Sequence, residues 1–248
     1  MSRLNSFYLA PALWQEPFRL HGEEAHHLLR VLRARPGDTI RLFDGLGRWG
    51  FFRVSHAGKK DATMDLLSVH KADVPAYPLT LALGWSKGTR RGFVLEKAVE
   101  LGATAIWFWT ARRSQGDIPD TAKESWTHQL VAAAKQCGTA WLPQIRTFTG
   151  PAEMIQTAEV CGSRILCWEE APQRAMLGPD DLVRENGAIV IIGPEGGLDG
   201  QEAAFFQERG FSPASLGRRV LRFETAALYV LAMYAWAASR TADDQDRP

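Results

Sequence analysis

Ile189-Val190-Ile191-Ile192-Gly193-Pro194-Glu195-Gly196-Gly197 is the stretch whose reading decides the fold. A wholly apolar run without alternation is the pattern of a strand buried on both faces. It passes straight into a glycine-rich turn, followed by a helical pattern. Glycines in such a turn let the backbone approach a ligand and expose N–H donors. A plain tight turn with glycines at positive φ accounts for the same letters. The turn has neither Gly-Lys-Ser/Thr nor Gly-x-Gly-x-x-Gly, so phosphate and dinucleotide readings are weak.

Working outward, strand patterns at 79–85, 105–110, 164–168 and 188–193, with a short one near 214–216, alternate with helical ones. Over 92–101, Val94, Ala98 and Leu101 share a face, and Gly102 ends the helix. Trp126, Leu130 and Ala134 recur every fourth residue within 121–137. Asp199 and Glu202 have capping-box spacing at the head of 201–209. This alternation predicts a mostly parallel α/β sheet with its sites at the strand C-termini.

The region before the stiff Val74-Pro75-Ala76-Tyr77-Pro78 linker reads differently. A helix is expected over 23–33, with Ala25, Leu28, Leu29 and Leu32 on one face. Alternating runs at 38–43, 49–54 and 62–69, separated by turns at 44–47 and 58–61, predict a β-meander of the kind found in small barrels. We therefore expect two domains, 1–74 and 75–248. The first holds 11 Lys/Arg against 8 Asp/Glu and five of the six histidines.

Across the 248 residues, 29 Lys/Arg against 28 Asp/Glu exclude a globally basic coat protein, though not a local basic patch. The acidic tail Asp243, Asp244 and Asp246, with Arg247, offsets part of the N-terminal excess. Three cysteines (Cys137, Cys161, Cys167) without a C-x-x-C pair argue against a disulfide framework or zinc ribbon and suit a reducing cytosol. The start of the chain lacks a secretory pattern, and the apolar run 225–239 is shorter than the ~20 residues a membrane span needs. A soluble cytoplasmic protein is expected. The N-terminal histidines lack ligand spacing, so no metal site is predicted.

The second signal is Leu216-Gly217-Arg218-Arg219-Val220-Leu221-Arg222-Phe223-Glu224-Thr225-Ala226-Ala227, three arginines and a glutamate at the entrance of an apolar helix. A charge cluster is usually a solvated face, but the apolar residues that follow place this one at the edge of a buried helix.

Together, in this order, the two segments resemble the RsmE family of ribosomal RNA uracil-N3 methyltransferases in the SPOUT superfamily. Further matches are His26-His27 with Val31-Leu32-Arg33 and Pro36-Gly37-Asp38, Lys97-Ala98-Val99-Glu100-Leu101-Gly102, Arg113-Ser114, and Gln136-Cys137-Gly138 with Pro143. Three places depart from the family pattern: Arg112 and Lys135 stand where glutamate is usual, and Thr139-Ala140-Trp141 follow Gly138. Trp107, Trp109, Trp126 and Trp141 have spacings that suit a core or base stacking.

The resemblance implies a SPOUT-type α/β domain with a C-terminal deep trefoil knot behind a PUA-like RNA-binding β-barrel. It implies a homodimer with the active site at its interface, and 16S rRNA or the 30S subunit as partner. S-adenosylmethionine would be held by Leu166, Trp168 and Glu169, by Gly193, Pro194, Gly196 and Gly197, and by Leu216, Gly217, Val220, Leu221, Arg222, Thr225 and Ala226. For the implied chemistry, Arg222, Arg113 and Arg30 are candidates to stabilise charge on the uracil oxygens. Glu195 and Glu224 are candidate proton acceptors. Glu224 has a second reading, as a loop-fixing partner of Arg222. Arg30, Arg33, Arg35, Arg41, Arg48 and Arg53 read as a phosphate-contacting surface or as a solvated face. Rival readings are a SPOUT enzyme acting on another RNA or a ribose 2′-hydroxyl, and a catalytically silent ribosome-assembly factor.

Overall fold

The computed structural model describes residues 4–86, 90–158 and 162–245; Cys161, Asp246 and Arg247 lie outside them. The chain forms two compact units, one of Met1–Val74 with Val131–Leu142, the other of Pro75–Leu130 with Pro143–Pro248.

In the first unit the strands are β1 (Ser6–Tyr8), β2 (Phe18–Leu20), β3 (Thr39–Phe43), β4 (Arg48–Ala57) and β5 (Ala62–Lys71). Helix α1 (Gly22–His26) runs on into a π-helical turn at His27–Val31. The sheet order is β1-β3-β4-β5-β2, with β1 parallel to β3 and the other pairs antiparallel. Alternation puts Ile40, Leu42, Phe52, Val54 and Met64 on the inner face, packed with Phe7, Phe18 and Leu28.

Two departures from the family pattern have local jobs here. Lys135 Nζ lies 2.9 Å from Glu24 Oε1. The same carboxylate accepts from the Tyr8 amide at 3.1 Å. The Trp141 ring packs against Gly47, at φ +91°, where a Cβ would collide with it. Its indole N–H donates to the Asp73 carbonyl at 2.9 Å.

The second unit is built on β6 (Leu79–Gly84), β7 (Ala105–Trp109), β8 (Gln144–Phe148), β9 (Ser163–Cys167), β10 (Ala188–Ile192) and β11 (Ser212–Ala214). All pairs are parallel, in the order β11-β9-β10-β6-β7-β8. Helices α2 (Arg91–Glu100), α3 (Glu124–Cys137), α4 (Pro151–Ala158), α5 (Gly200–Gln207) and α6 (Phe223–Gln245) flank these strands in the chain. From Val131 onward α3 belongs to the first unit.

Every residue of β10 is buried. Ile189 and Ile191 share a core with Leu166, Met154 of α4 and Phe206 of α5, while α6 packs on β10 and α2. Trp107, Trp109 and Trp126 are core residues, each no more than 6% exposed. Strands β6 to β8 step outward on one side, and the chain then returns to β9 and β10 on the other. The order therefore reverses between β6 and β10, and a crevice at the C-terminal ends of such neighbours is where open α/β sheets bind ligands. Among the described residues no helix is long and apolar enough to cross a membrane.

Candidate active site

At those strand ends lies a cavity of about 640 Å³. Its walls come from the end of β9, the turn after β10, and the segment that leads into α6.

The turn after β10 is closed by the Gly197 amide donating to the Pro194 carbonyl at 2.8 Å. Gly197 sits at φ +72°, a conformation costly for any residue with a Cβ. Gly196 has an ordinary φ, and a Cβ there would come 3.0 Å from Cβ of Arg113. Strand β6 also reaches this turn closely, since a Cβ on Gly84 would lie 2.9 Å from the Gly193 carbonyl carbon.

Behind the turn, α5 opens with a reciprocal capping box. The Glu202 amide donates to Asp199 Oδ1 at 2.8 Å, and the Asp199 amide donates to Glu202 Oε2 at 3.2 Å. The other Glu202 oxygen accepts from the Arg112 amide at 2.7 Å. Arg112 also reaches Asp199 Oδ2 at 3.1 Å. The Asp199 carboxyl is held below its ordinary pKa, first by the Glu202 amide and then by Arg112. Next along the chain, Arg113 Nη1 donates to the Gly196 carbonyl at 2.8 Å. One buried glutamate thus ties the loop after β7 to the glycine turn.

On the opposite wall the buried Ser215 hydroxyl binds both the amide of Gly217, at 3.2 Å, and its carbonyl, at 3.3 Å. This staples a turn in which Gly217 adopts φ +119°. Val220, 86% exposed, stands at the rim.

Most of the expected residues line the cavity: Trp168 and Glu169, Gly193 through Gly197, and Leu216, Gly217, Val220, Leu221, Arg222, Glu224 and Ala226. Leu166 does not. It lies fully buried in the sheet core, because strand alternation turns it away and presents Cys167 instead. Thr225 is exposed on α6 away from the lining. Arg113 is outside the lining and reaches the turn through its bond to the Gly196 carbonyl, and Arg30 is an exposed residue of the first unit. Glu224 is not the partner of Arg222. Its Oε1 lies 2.7 Å from Nη1 of Arg90, a cavity residue the sequence reading missed for want of any motif around it. Cys167, Arg219 and Phe223 fall within the expected segments without having been singled out, and Ile192 and Ser215 lie one residue outside them. Cys167 is inert, since burial pushes its thiol up to about 12.

Among the described residues, three glutamates (Glu169, Glu195, Glu224) and three arginines (Arg90, Arg219, Arg222) line the wall, and no lysine does. The Trp168 indole N–H is buried without an acceptor among the described residues. Such a cavity suits a ligand of mixed apolar and zwitterionic character rather than a polyphosphate.

Comparison with known proteins agrees with this geometry. Residues 73–235 match the RNA methyltransferase domain family, and residues 20–67 match the RNA methyltransferase PUA domain family. The fold and its cavity are those of an RNA methyltransferase. More narrowly, the chain belongs to the ribosomal RNA small subunit methyltransferase E family. It is 30% identical to the Synechocystis member over 84% of this chain and 69% of that protein. The Bacillus subtilis member is 26% identical over 92% of this chain and 93% of its own length. Among solved structures, the Neisseria gonorrhoeae member bound to S-adenosylmethionine is 31% identical, with TM-score 0.78 over 93% of this chain and 96% of that one. A Legionella pneumophila methyltransferase in complex with the same cofactor is 28% identical, with TM-score 0.77 over 95% of this chain and 98% of that one.

Proposed function

We propose that this chain methylates N3 of a uracil in 16S rRNA, using S-adenosylmethionine, in the cavity at the ends of β9 and β10. The observation that carries the reading is the three-segment wall described above, in a chain whose relatives are small-subunit rRNA methyltransferases.

The fit to the cofactor rests on the lining. Leu216, Leu221 and Phe223 offer apolar surface, and the glycine turns offer backbone approach. Bound there, S-adenosylmethionine supplies a methyl group on a sulfonium, open to attack by a nitrogen. The remaining work belongs to the chain. Uracil N3 carries a proton at neutral pH, so the site must accept that proton and stabilise the anion that is left. Glu195, exposed at the rim, is the proton acceptor in this account. Arg222 places its guanidinium where charge grows on the uracil oxygens. Arg113 braces the glycine turn, and Arg30 presents RNA from the first domain. Glu224, committed to Arg90, has a positioning role.

The account includes a homodimer whose interface completes the site and an α6 that passes through a loop as a trefoil knot. Tyr229 and Trp236, exposed on α6 at 42% and 52%, support an interface there. The proposed setting is the cytoplasm, with 1–74 as the RNA-binding domain and 75–248 as the catalytic one.

The test is calorimetry with S-adenosylmethionine, followed by transfer of labelled methyl to unmethylated 30S particles. Saturable heat and incorporation into 16S rRNA support the account. Cofactor binding without incorporation into any RNA would leave a silent assembly factor instead.

A further inference from the structure

The outer face of the first unit's sheet is built unlike a solvated face. On β4, alternation sends Phe52 and Val54 inward and Trp49, Phe51 and Arg53 outward. The strand register then assembles three outward rows. Trp49 stands between Phe43 of β3, itself fully buried, and His70 of β5. Phe51 stands between Arg41 and Ser68, and Arg53 between Thr39 and Asp65.

The rings in these rows are ordered. His70 stacks on Trp49 with centroids 4.4 Å apart and planes 24° from parallel. Phe51 meets Trp49 and His70 edge-on at 5.6 and 6.2 Å. The Arg41 guanidinium lies 5.0 Å from the Trp49 centroid. His70 is exposed, while Trp49 and Phe51 are half-buried. Aromatic rings clustered on an outward sheet face mark a recognition surface. Here they alternate with arginines at the spacing of successive residues on one strand face, about 7 Å, which is close to the rise between bases in an extended single strand.

We propose that this face is a stacking track for single-stranded RNA. A base extends the Trp49–His70 stack, the next lies over Phe51, and Arg41 and Arg53 contact the phosphates between them. The inference rests on the reading of the chain as an rRNA methyltransferase and adds how its first domain recognises RNA. Single strands are favoured over duplex because stacking needs unpaired base faces. Asp65, opposite Arg53, is the acidic group on the track and bears on the phosphate term. Of the arginines expected to contact RNA, Arg48 is held by Asp44, with its Nε 3.0 Å from Oδ2, and by the Trp14 ring, 4.7 Å from its guanidinium; Arg41 also donates to Ser6 Oγ, at 3.4 Å.

The experiment measures binding of the full chain, by fluorescence anisotropy, to a short labelled oligouridylate, to the same oligomer with abasic sites, and to an A-form duplex. His70→Ala and Phe51→Ala are expected to weaken binding to the oligouridylate by about 5- to 150-fold each. On the abasic oligomer the wild type should be equally weak and the substitutions silent. Arg53→Ala should weaken every RNA alike and lower the salt slope by about one. Circular dichroism and thermal unfolding like those of the wild type report that the first unit is folded in all three variants, and unchanged S-adenosylmethionine binding reports the same of the second. His70→Ala and Phe51→Ala variants that bind oligouridylate as the wild type does, or that lose as much on abasic or duplex RNA, would overturn the track, as would an Arg53→Ala that leaves binding and the salt slope unchanged. A wild type that methylates no RNA would instead defeat the functional reading on which the track rests.

Discussion

Removing the Glu202 carboxylate should loosen the loop after β7 and, through it, the glycine-turn wall of the cavity. The residue is 6% exposed and accepts two main-chain hydrogen bonds, 2.7 Å from Arg112 and 3.2 Å from Asp199. A hydrogen bond to a charged group contributes roughly 1.5–3 kcal/mol. The longer bond sits at a helix start that water can rehydrate, so it falls at the low end or below. Glu202→Ala should then cost about 3 kcal/mol. For a chain of this size that lowers Tm by roughly 6–12 °C, at about 2–4 °C per kcal/mol. Glu202→Gln keeps an acceptor for Arg112 and should lose about half as much. The functional consequence runs through Arg113, whose bond to the Gly196 carbonyl depends on the anchored loop. If a third to a half of the cost appears as disorder of the glycine turn in the free protein, cofactor affinity falls about tenfold, since 1.4 kcal/mol is a factor of ten. Thermal unfolding and calorimetry on the same samples measure both. A Tm within 2 °C of wild type, or full stability loss with unchanged cofactor affinity, would refute the coupling of α5 to the turn.

Gly197→Val should abolish cofactor binding in a folded protein, because φ +72° and the adjoining Glu169 side chain both oppose a Cβ. Gly196→Ala, at ordinary φ, should reduce affinity less; the reverse order by calorimetry would contradict the turn geometry. Arg222→Ala should lower the single-turnover rate by ~10²–10³ with little change in RNA affinity, and lysine should not restore it because it lacks the planar fork. Near-normal rate with weakened binding would make Arg222 a positioning residue. For Asp199 the folded pKa is depressed, so its stabilisation is full above the ordinary carboxylate value near pH 4 and is lost as pH falls from there through the lower folded pKa. Asp199→Asn should therefore flatten the acid limb of the stability curve, which urea titrations from pH 2 to 6 would read. Iodoacetamide should modify the exposed Cys137 and spare Cys167, as peptide mass mapping would show.

The parallel sheet was legible because its central strands are long and apolar: β6, β7, β9 and β10 lie within a residue or two of the expected runs. β1 and β2 have three residues each, too few for alternation to register, and β8 alternates only weakly. Helix α4 has a single apolar face over eight residues and was passed over. The helix expected over 23–33 begins as α1 but continues as a π-helical turn, a hydrogen-bond shift with no signature in residue spacing.

At the site, the two glycine-bearing segments were readable because turns at positive φ demand particular residues. The partners were not. Arg90 is separated from Glu224 by most of the domain, and Glu202 reveals its capping box in sequence but not its hold on Arg112. Leu166 shows the opposite failure, a residue adjacent to the site in the chain that strand parity sends into the core.

The most direct test of the central claim is nucleoside mass mapping of 16S rRNA after 30S particles lacking the modification are incubated with the pure protein and S-adenosylmethionine. The account predicts a single new N3-methyluridine in 16S rRNA, absent with Gly197→Val. A 2′-O-methylated nucleoside, a methyl group on another base, or unmodified 16S rRNA beside an active cofactor site would contradict it.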